Sequence, residues 1–362
     1  MLLLLGLLAL ALLLREAFGG RGGAAAAEFT ETTFIENAGI YDKFVTAGGF
    51  FALDTTGGLS FYEADGTRVF RHGHGILGGA LFGSGEYAAV VARGGNVINL
   101  YNTTGLVHTT TINGQIRRFA LDSGGYAAAA IYANGGHNIM LYDRAGQAHE
   151  LLREEDARVL PMAMALSGNR LAIAHADISG PRLNSTITFI NINSRAGQYS
   201  GEIAAKNLHN PEQIIGSLHF MGGRTLLAVA DTRIFAVNYA TGDNLWEIPL
   251  NNIVRAAVFN TDNFAIAYGS ALLNRDGLPA GTVNVYSTNG AEIFSAIKEN
   301  PTNLSLGFGN IIIQATTTCT IYEIGNGTMV WEGRLAGAAE FMGGRDRLAV
   351  SAPGGVKILQ RR

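Results

Sequence analysis

From Glu28 onward the chain alternates short runs of small and β-branched residues with Gly-rich breaks, and long amphipathic helical spacing is nearly absent. The runs recur in a fixed order. A strand ending in Phe or Leu leads to a tight turn, an Ala/Val/Ile run follows, and a β-rich segment closes in Tyr and then Gly. Four copies hold Tyr and Gly four positions apart, at Tyr62/Gly66, Tyr101/Gly105, Tyr142/Gly146 and Tyr286/Gly290. Looser copies end at Ile190/Gly197, Tyr239/Gly242 and Tyr322/Gly327, and an eighth runs from Gly355 to Leu359. A second ruler keeps the same order, because the segments before the tight turns end at Phe82, Leu121, Leu166, Phe220, Phe259, Phe308 and Phe341.

Residues 28–362 therefore divide into eight units of about 42 residues, the length of a four-stranded propeller blade. The spacing predicts an all-β, eight-bladed β-propeller, with seven blades as the alternative if the outermost copies merge. Calling the strands of a blade A to D, the third copy reads A at 116–121, B at 126–131, C at 138–142 and D at 148–152. The last copy has A, B and C at 337–341, 348–351 and 356–359 but no D. The β-prone segment Glu28–Ile35 precedes the first A strand near 40–45 and is expected to supply that D strand. It would close the ring and remove its open edges.

Composition agrees with sheets buried on both faces: 48% of residues are hydrophobic and only 15% charged, against roughly 25% charged in an average domain. Forty-eight glycines suit a chain of many tight turns. A net charge of −3 argues against nucleic acid, which calls for a basic stripe. Cys319 stands alone and is read as a small buried hydrophobe.

The first residues carry a different pattern. Leu2–Leu14 is an uninterrupted apolar run, followed by Arg15, Glu16 and a Gly/Ala stretch to Ala27. Its length matches the apolar region of a signal peptide better than the roughly 20 residues of a membrane span. Residues 1–27 are thus read as a signal peptide or membrane anchor with a linker, residues 28–362 as the propeller, and the protein as exported or membrane-tethered.

The segment Tyr239-Ala240-Thr241-Gly242-Asp243-Asn244-Leu245-Trp246 resembles the docking motif of pyrroloquinoline-quinone-repeat propellers, with a fainter copy from Gly327 to Trp331. Phe70 takes the Trp position after Gly66, and Ile293 is assigned to it after Gly290. The resemblance implies that the Gly makes the C–D turn and the aromatic wedges between blades. Quinoprotein dehydrogenases of that superfamily hold their cofactor with a vicinal disulfide and an acidic calcium cluster. With one Cys and no comparable acidic run, this chain is expected to carry no cofactor. It is more similar to membrane-anchored bacterial propellers and, more distantly, to the outer-membrane assembly propeller lipoprotein, which implies a binding role.

Candidate chemistry is sparse. His72-Gly73-His74-Gly75 places two imidazoles two residues apart, but no third metal ligand is near in sequence. Gly73, Gly75 and Gly78 satisfy a dinucleotide fingerprint, yet a strand rather than a helix is expected to follow. The serines of Gly83-Ser84-Gly85 and Asp122-Ser123-Gly124 fall in A–B turns, and no nucleophile elbow exists. Arg117, Arg118, His219, Arg255 and Glu340 lie on A strands and could gather in the channel.

The extra residues are the strongest pointer to function. All A–B turns are short, whereas insertions fall at 150–159, 176–184, 204–213, 270–280 and 297–303, in D–A or B–C connections that share one end of the propeller. Loops that vary on a rigid scaffold are where binding resides. A monomeric, non-catalytic propeller is expected, binding a protein, peptide or glycan partner on that face through Asp177, Arg182, His209, Glu212, Arg275, Asp276 and Lys298. The alternative is a hydrolase, lyase or quinoprotein acting at the channel mouth.

Overall fold

In the computed structural model, residues 29–36, 43–47, 49–55, 58–92, 94–195, 197–250, 254–273, 279–316, 318–335, 337, 339–341, 346–352 and 355–362 are described. They form eight four-stranded antiparallel sheets and no helix, so the ring has eight blades rather than seven. In blade three the strands run Gln115–Leu121, Ala127–Ala133, Gly136–Tyr142 and Ala148–Glu154, within two residues of the sequence reading. Residues 1–28, with the apolar run, lie outside the described residues. No helix among the described residues is long and apolar enough to cross a membrane.

Blade eight is closed as expected. Its A, B and C strands are Ala339–Phe341, Arg347–Ala352 and Gly355–Arg361, and Phe29–Glu36 pairs antiparallel with the last of them, Phe29 opposite Arg361 and Glu36 opposite Gly355. Ile35 and Phe51, Leu53 and Tyr62 of blade one then share a cluster with Val356 and Ile358, so the interface between first and last blade is built partly by this strand. Seven similar clusters fill the other interfaces. The core is thus a ring of eight apolar seams. The B strands lie deepest, which is why they read as unbroken apolar runs: Ala127–Ile131 is buried on both faces.

The aromatic wedges are placed by a recurrent β-bulge. In blades one, five, six and seven the C–D register shifts by one residue, leaving Val69, Leu245, Ile293 and Val330 as the extra residue. The next residue, Phe70, Trp246, Phe294 or Trp331, is re-aimed onto the following blade. Phe70 stacks on Tyr101, Trp246 on Phe264 with planes 7° apart, Phe294 meets Tyr322, and Trp331 meets Phe29 edge-on at 5.2 Å. In blade six the wedge is therefore Phe294, not Ile293, because Ile293 is the bulged residue. The C–D turn glycine serves the same seam. Gly290 has φ 83° and Gly327 φ 67°, and a Cβ on them would sit 2.9 Å from Trp246 and 3.0 Å from Phe294 of the preceding blade.

Candidate functional face

The D–A and B–C connections meet at one end of the ring and bond to one another. Ile116 N–H donates to the Gly95 carbonyl at 2.9 Å, Ile178 N–H to Arg158 at 3.1 Å, Glu212 N–H to Leu183 at 2.8 Å and Asp231 N–H to Ile214 at 3.1 Å. The opposite end carries the A–B and C–D turns, tied by Arg144 Nε donating to Gly124 O at 2.6 Å and by Arg144 over the Tyr126 ring.

Most of the extra residues lengthen strands rather than loops. In blade six, Asn263–Leu273 and Pro279–Ser287 continue as a hairpin past Gly269↔Gly281 to Leu273↔Pro279, on the D–A/B–C face. In blade four, Arg170–Asp177 and Asn184–Arg195 flank a true B–C loop at 178–183. Of the residues 204–213, 204–211 belong to the D strand Gln198–Pro211, whereas the D strands Ala148–Glu154 and Glu292–Glu299 take up only 150–154 and 297–299 of the other two segments. One elaboration breaks the one-sided pattern. The C–D hairpin of blade four runs past the Arg170↔Asn191 pair to Arg195↔Gln198, so it projects on the opposite face. There Tyr199 reaches blade three, its hydroxyl 3.0 Å from that of Tyr126.

The residues assigned from the sequence are only partly brought together. Arg182 and Glu212 join the B–C loop to the end of the D strand through an exposed 3.2 Å ion pair, and Asp177 accepts Ser179 N–H at 2.8 Å to shape the turn. His209 lies in the D strand Gln198–Pro211, its side chain outside the described set, and Arg275 and Asp276 lie outside the described residues. Lys298 is corrected: it sits in strand Glu292–Glu299, pairs with Glu332 of blade seven at 2.5 Å and lies over the Tyr322 ring. Burial opposes its charge, but the Glu332 bond and Tyr322 outweigh that and raise its pKa, as befits a fixed seam contact.

The histidine pair is also structural. His72 Nδ1 is 3.1 Å from the Tyr101 hydroxyl of blade two. His74 Nδ1 accepts Ile76 N–H at 3.0 Å, which leaves Nε2 to donate to Asp54 at 2.8 Å. No group of three or more His, Cys, Asp or Glu converges among the described residues. Cys319 is fully buried, and burial pushes its thiol up to about 12.

The channel residues separate. His219 and Ser217 line a cavity of about 700 Å³ bounded by the A strands of blades two to five, with Ser217 Oγ 2.8 Å from His219 Nε2. This is a nucleophile–base contact in form. Burial, with the imidazole stacked 3.7 Å from the Phe259 ring, brings His219 down to about 4, too weak a base for neutral pH. Glu340 turns toward Thr46 of blade one, and burial raises it to about 7. Arg255 lies on the A strand Val254–Phe259, its side chain outside the described set. Arg118 also lines the His219 cavity, and with Arg117 it borders recesses of about 500 and 440 Å³ on the D–A/B–C face, between blades two and three and between three and four.

Sequence reasoning missed what else that face holds. Leu77, Ile178 and Ile214, in D–A or B–C connections, expose 79%, 51% and 41% of their surface. Leu77 and Ile214 each adjoin an isoleucine, Ile76 and Ile215, and nothing in the pattern marks which residue is exposed; only the blade assignment places the three at one end.

The sequence profile of a family of unknown function (DUF5711) matches residues 27–347. No curated protein matches the chain by sequence. Among solved structures, apo AztD from Citrobacter koseri is 12% identical with a TM-score of 0.56, covering 81% of this chain and 86% of that one. BamB from Moraxella catarrhalis is 14% identical with a TM-score of 0.52, covering 92% and 98%. The Pan2 WD40 domain of Neurospora crassa is 8% identical with a TM-score of 0.51, covering 93% and 96%. At these identities the likeness is one of fold, and all three share the propeller architecture.

Proposed function

We propose that this chain, which belongs to a family of unknown function (DUF5711), is a non-catalytic, exported or membrane-tethered propeller that binds a protein partner on its D–A/B–C face. The observation that carries the reading is the extension of the B–C hairpins of blades four and six on that one end, where Leu77, Ile178 and Ile214 are also exposed. Exposed aliphatics flanked by charged side chains are the composition of a protein-docking surface. Asp177, Arg182, His209, Glu212, Arg275 and Asp276 belong to the same elaborated connections and act as its polar rim. Peptide and glycan ligands remain outcomes of the test.

Export rests on Leu2–Leu14. The finer kinship, with pyrroloquinoline-quinone-repeat propellers, rests on the Gly-x-x-x-aromatic spacing at Gly66, Gly242, Gly290 and Gly327, which the bulged D strands explain. The Ser217–His219 contact favours a second reading, a hydrolase acting in the channel. Labelling of Ser217 by a fluorophosphonate would support it.

Shortening 178–183 and 274–278 to two-residue turns tests the main reading. Capture of the partner crosslinked by the wild-type protein should be lost at unchanged thermal midpoint. Capture retained at wild-type level would refute it.

A further inference from the structure

We propose that the recess between blades three and four on the D–A/B–C face anchors a carboxylate of a bound peptide, with Arg117 as the principal contact. This rests on the reading of that face as a docking surface and adds its chemistry. The recess, about 440 Å³, is lined by Arg117, Arg118, Tyr132, His137, Leu160 and Met162, among others.

Two guanidiniums with no carboxylate within ion-pair distance among the described residues face one apolar-walled hollow. Arg117 is exposed and lies 5.2 Å from the centre of the Tyr132 ring, which fixes its position and leaves its N–H edge free. Arg118 is held by donating Nε to the Met162 carbonyl and Nη1 to the Arg117 carbonyl at 2.7 Å. A guanidinium has five N–H donors, so its outer edge is unspent.

His137 is a second, independent mark. It is 2% exposed, it lines the recess, and its Nδ1 makes no hydrogen bond within the protein. Burial and Arg117 both lower its pKa, so at neutral pH it adds a polar neutral ring rather than a third charge. Buried polar atoms are nearly always paired, and the exceptions mark ligand or water sites.

The charge balance selects the ligand. Glu154 acts on His137, and with Glu155 it lines the adjoining recess, while Arg153 and Arg158 are engaged by Glu150 and Asp156. These acids weaken the binding of every anion, that of a dianion or polyanion more than that of the single charge of one carboxylate. Leu160, Pro161 and Met162 accept the aliphatic stem of a Glu or Asp side chain, whose single charge a guanidinium meets edge to edge.

The test titrates the intact protein with acetyl-Leu-Glu-Leu-amide, its Gln counterpart and inorganic phosphate, followed by NMR shifts. The Glu peptide should bind at least about tenfold tighter than the Gln peptide, with phosphate weaker than either. Arg117→Gln, an exposed change, should abolish the preference while the fold persists; His137→Phe should reduce it. Equal binding of the two peptides, no binding by either, tighter phosphate binding, or a preference that survives Arg117→Gln overturns the proposal. Failure here with partner capture still sensitive to the hairpins of blades four and six removes only the carboxylate anchor. Capture insensitive to those hairpins removes the docking face itself.

Discussion

Trp331 is nearly buried, in the seam of blades seven and eight, whereas Trp246 is half-buried, lies over Phe264 and donates Nε1–H to Thr288 O at 3.2 Å. Trp331→Ala should therefore cost about 3 to 5 kcal/mol and Trp246→Ala about 2, read from denaturant midpoints. Equal and negligible losses would remove the wedge role. Gly290→Ala meets a left-handed backbone and Trp246 at once, so it should cost about 2 to 4 kcal/mol. Glu340 gives a pH signature. It titrates at about 7 folded, against about 4.3 unfolded. Between those values the folded chain keeps a proton that the unfolded chain has lost, so stability falls as pH rises, by roughly 4 kcal/mol at most. His175 and His219, brought to about 4 chiefly by burial, act oppositely, adding stability as pH rises toward about 6.5. The difference between wild type and Glu340→Gln isolates the acid: the variant should gain on wild type from pH 5 to 8. A difference independent of pH would contradict the buried carboxyl.

At the scale of strands, the Tyr/Gly ruler was legible because each C–D turn needs a residue at positive φ while the Tyr fills a seam. The closing strand was legible because one unit lacked a D strand. The bulge itself stayed hidden, although the four-residue spacing from Gly to aromatic at Gly66, Gly242 and Gly327 already points to Phe294 rather than Ile293 after Gly290. Insertions read as loops became strand, because antiparallel pairing continues wherever backbone partners remain, as in Gly269–Leu273. Of the charged residues picked for the face, Lys298 shared that error, because its strand carries it into a seam with Glu332 and Tyr322. Removing Phe29–Glu36 should expose the C strand of blade eight, unpack Trp331 from Phe29 and lower the thermal midpoint of the whole ring. Identical midpoints for chains beginning at 28 and at 38 would defeat that account.

Across the whole molecule, eight seams bury nearly all the apolar side chains and leave the two ends of the ring to differ. The end with the A–B and C–D turns is short except for the blade-four hairpin, which Tyr126 and His149 hold through Tyr199. The other end carries the raised B–C hairpins of blades four and six and the exposed Arg117 guanidinium, while exposed apolar side chains stand at both ends, Leu77, Ile178 and Ile214 at this one and Phe308, Leu245 and Met329 at the opposite one. Connection lengths point to that end from the sequence; that Leu77, Ile178, Ile214 and Arg117 share it follows only from the blade assignment. The most direct measurement places a photo-crosslinking residue singly at 77, 178 or 214 and, on the opposite end, at Asp65, Arg144 or Phe308, in cells expressing the full chain. Discrete adducts of one mass from the first set and none from the second are the predicted result. Adducts confined to the opposite end would contradict the assignment of the binding face.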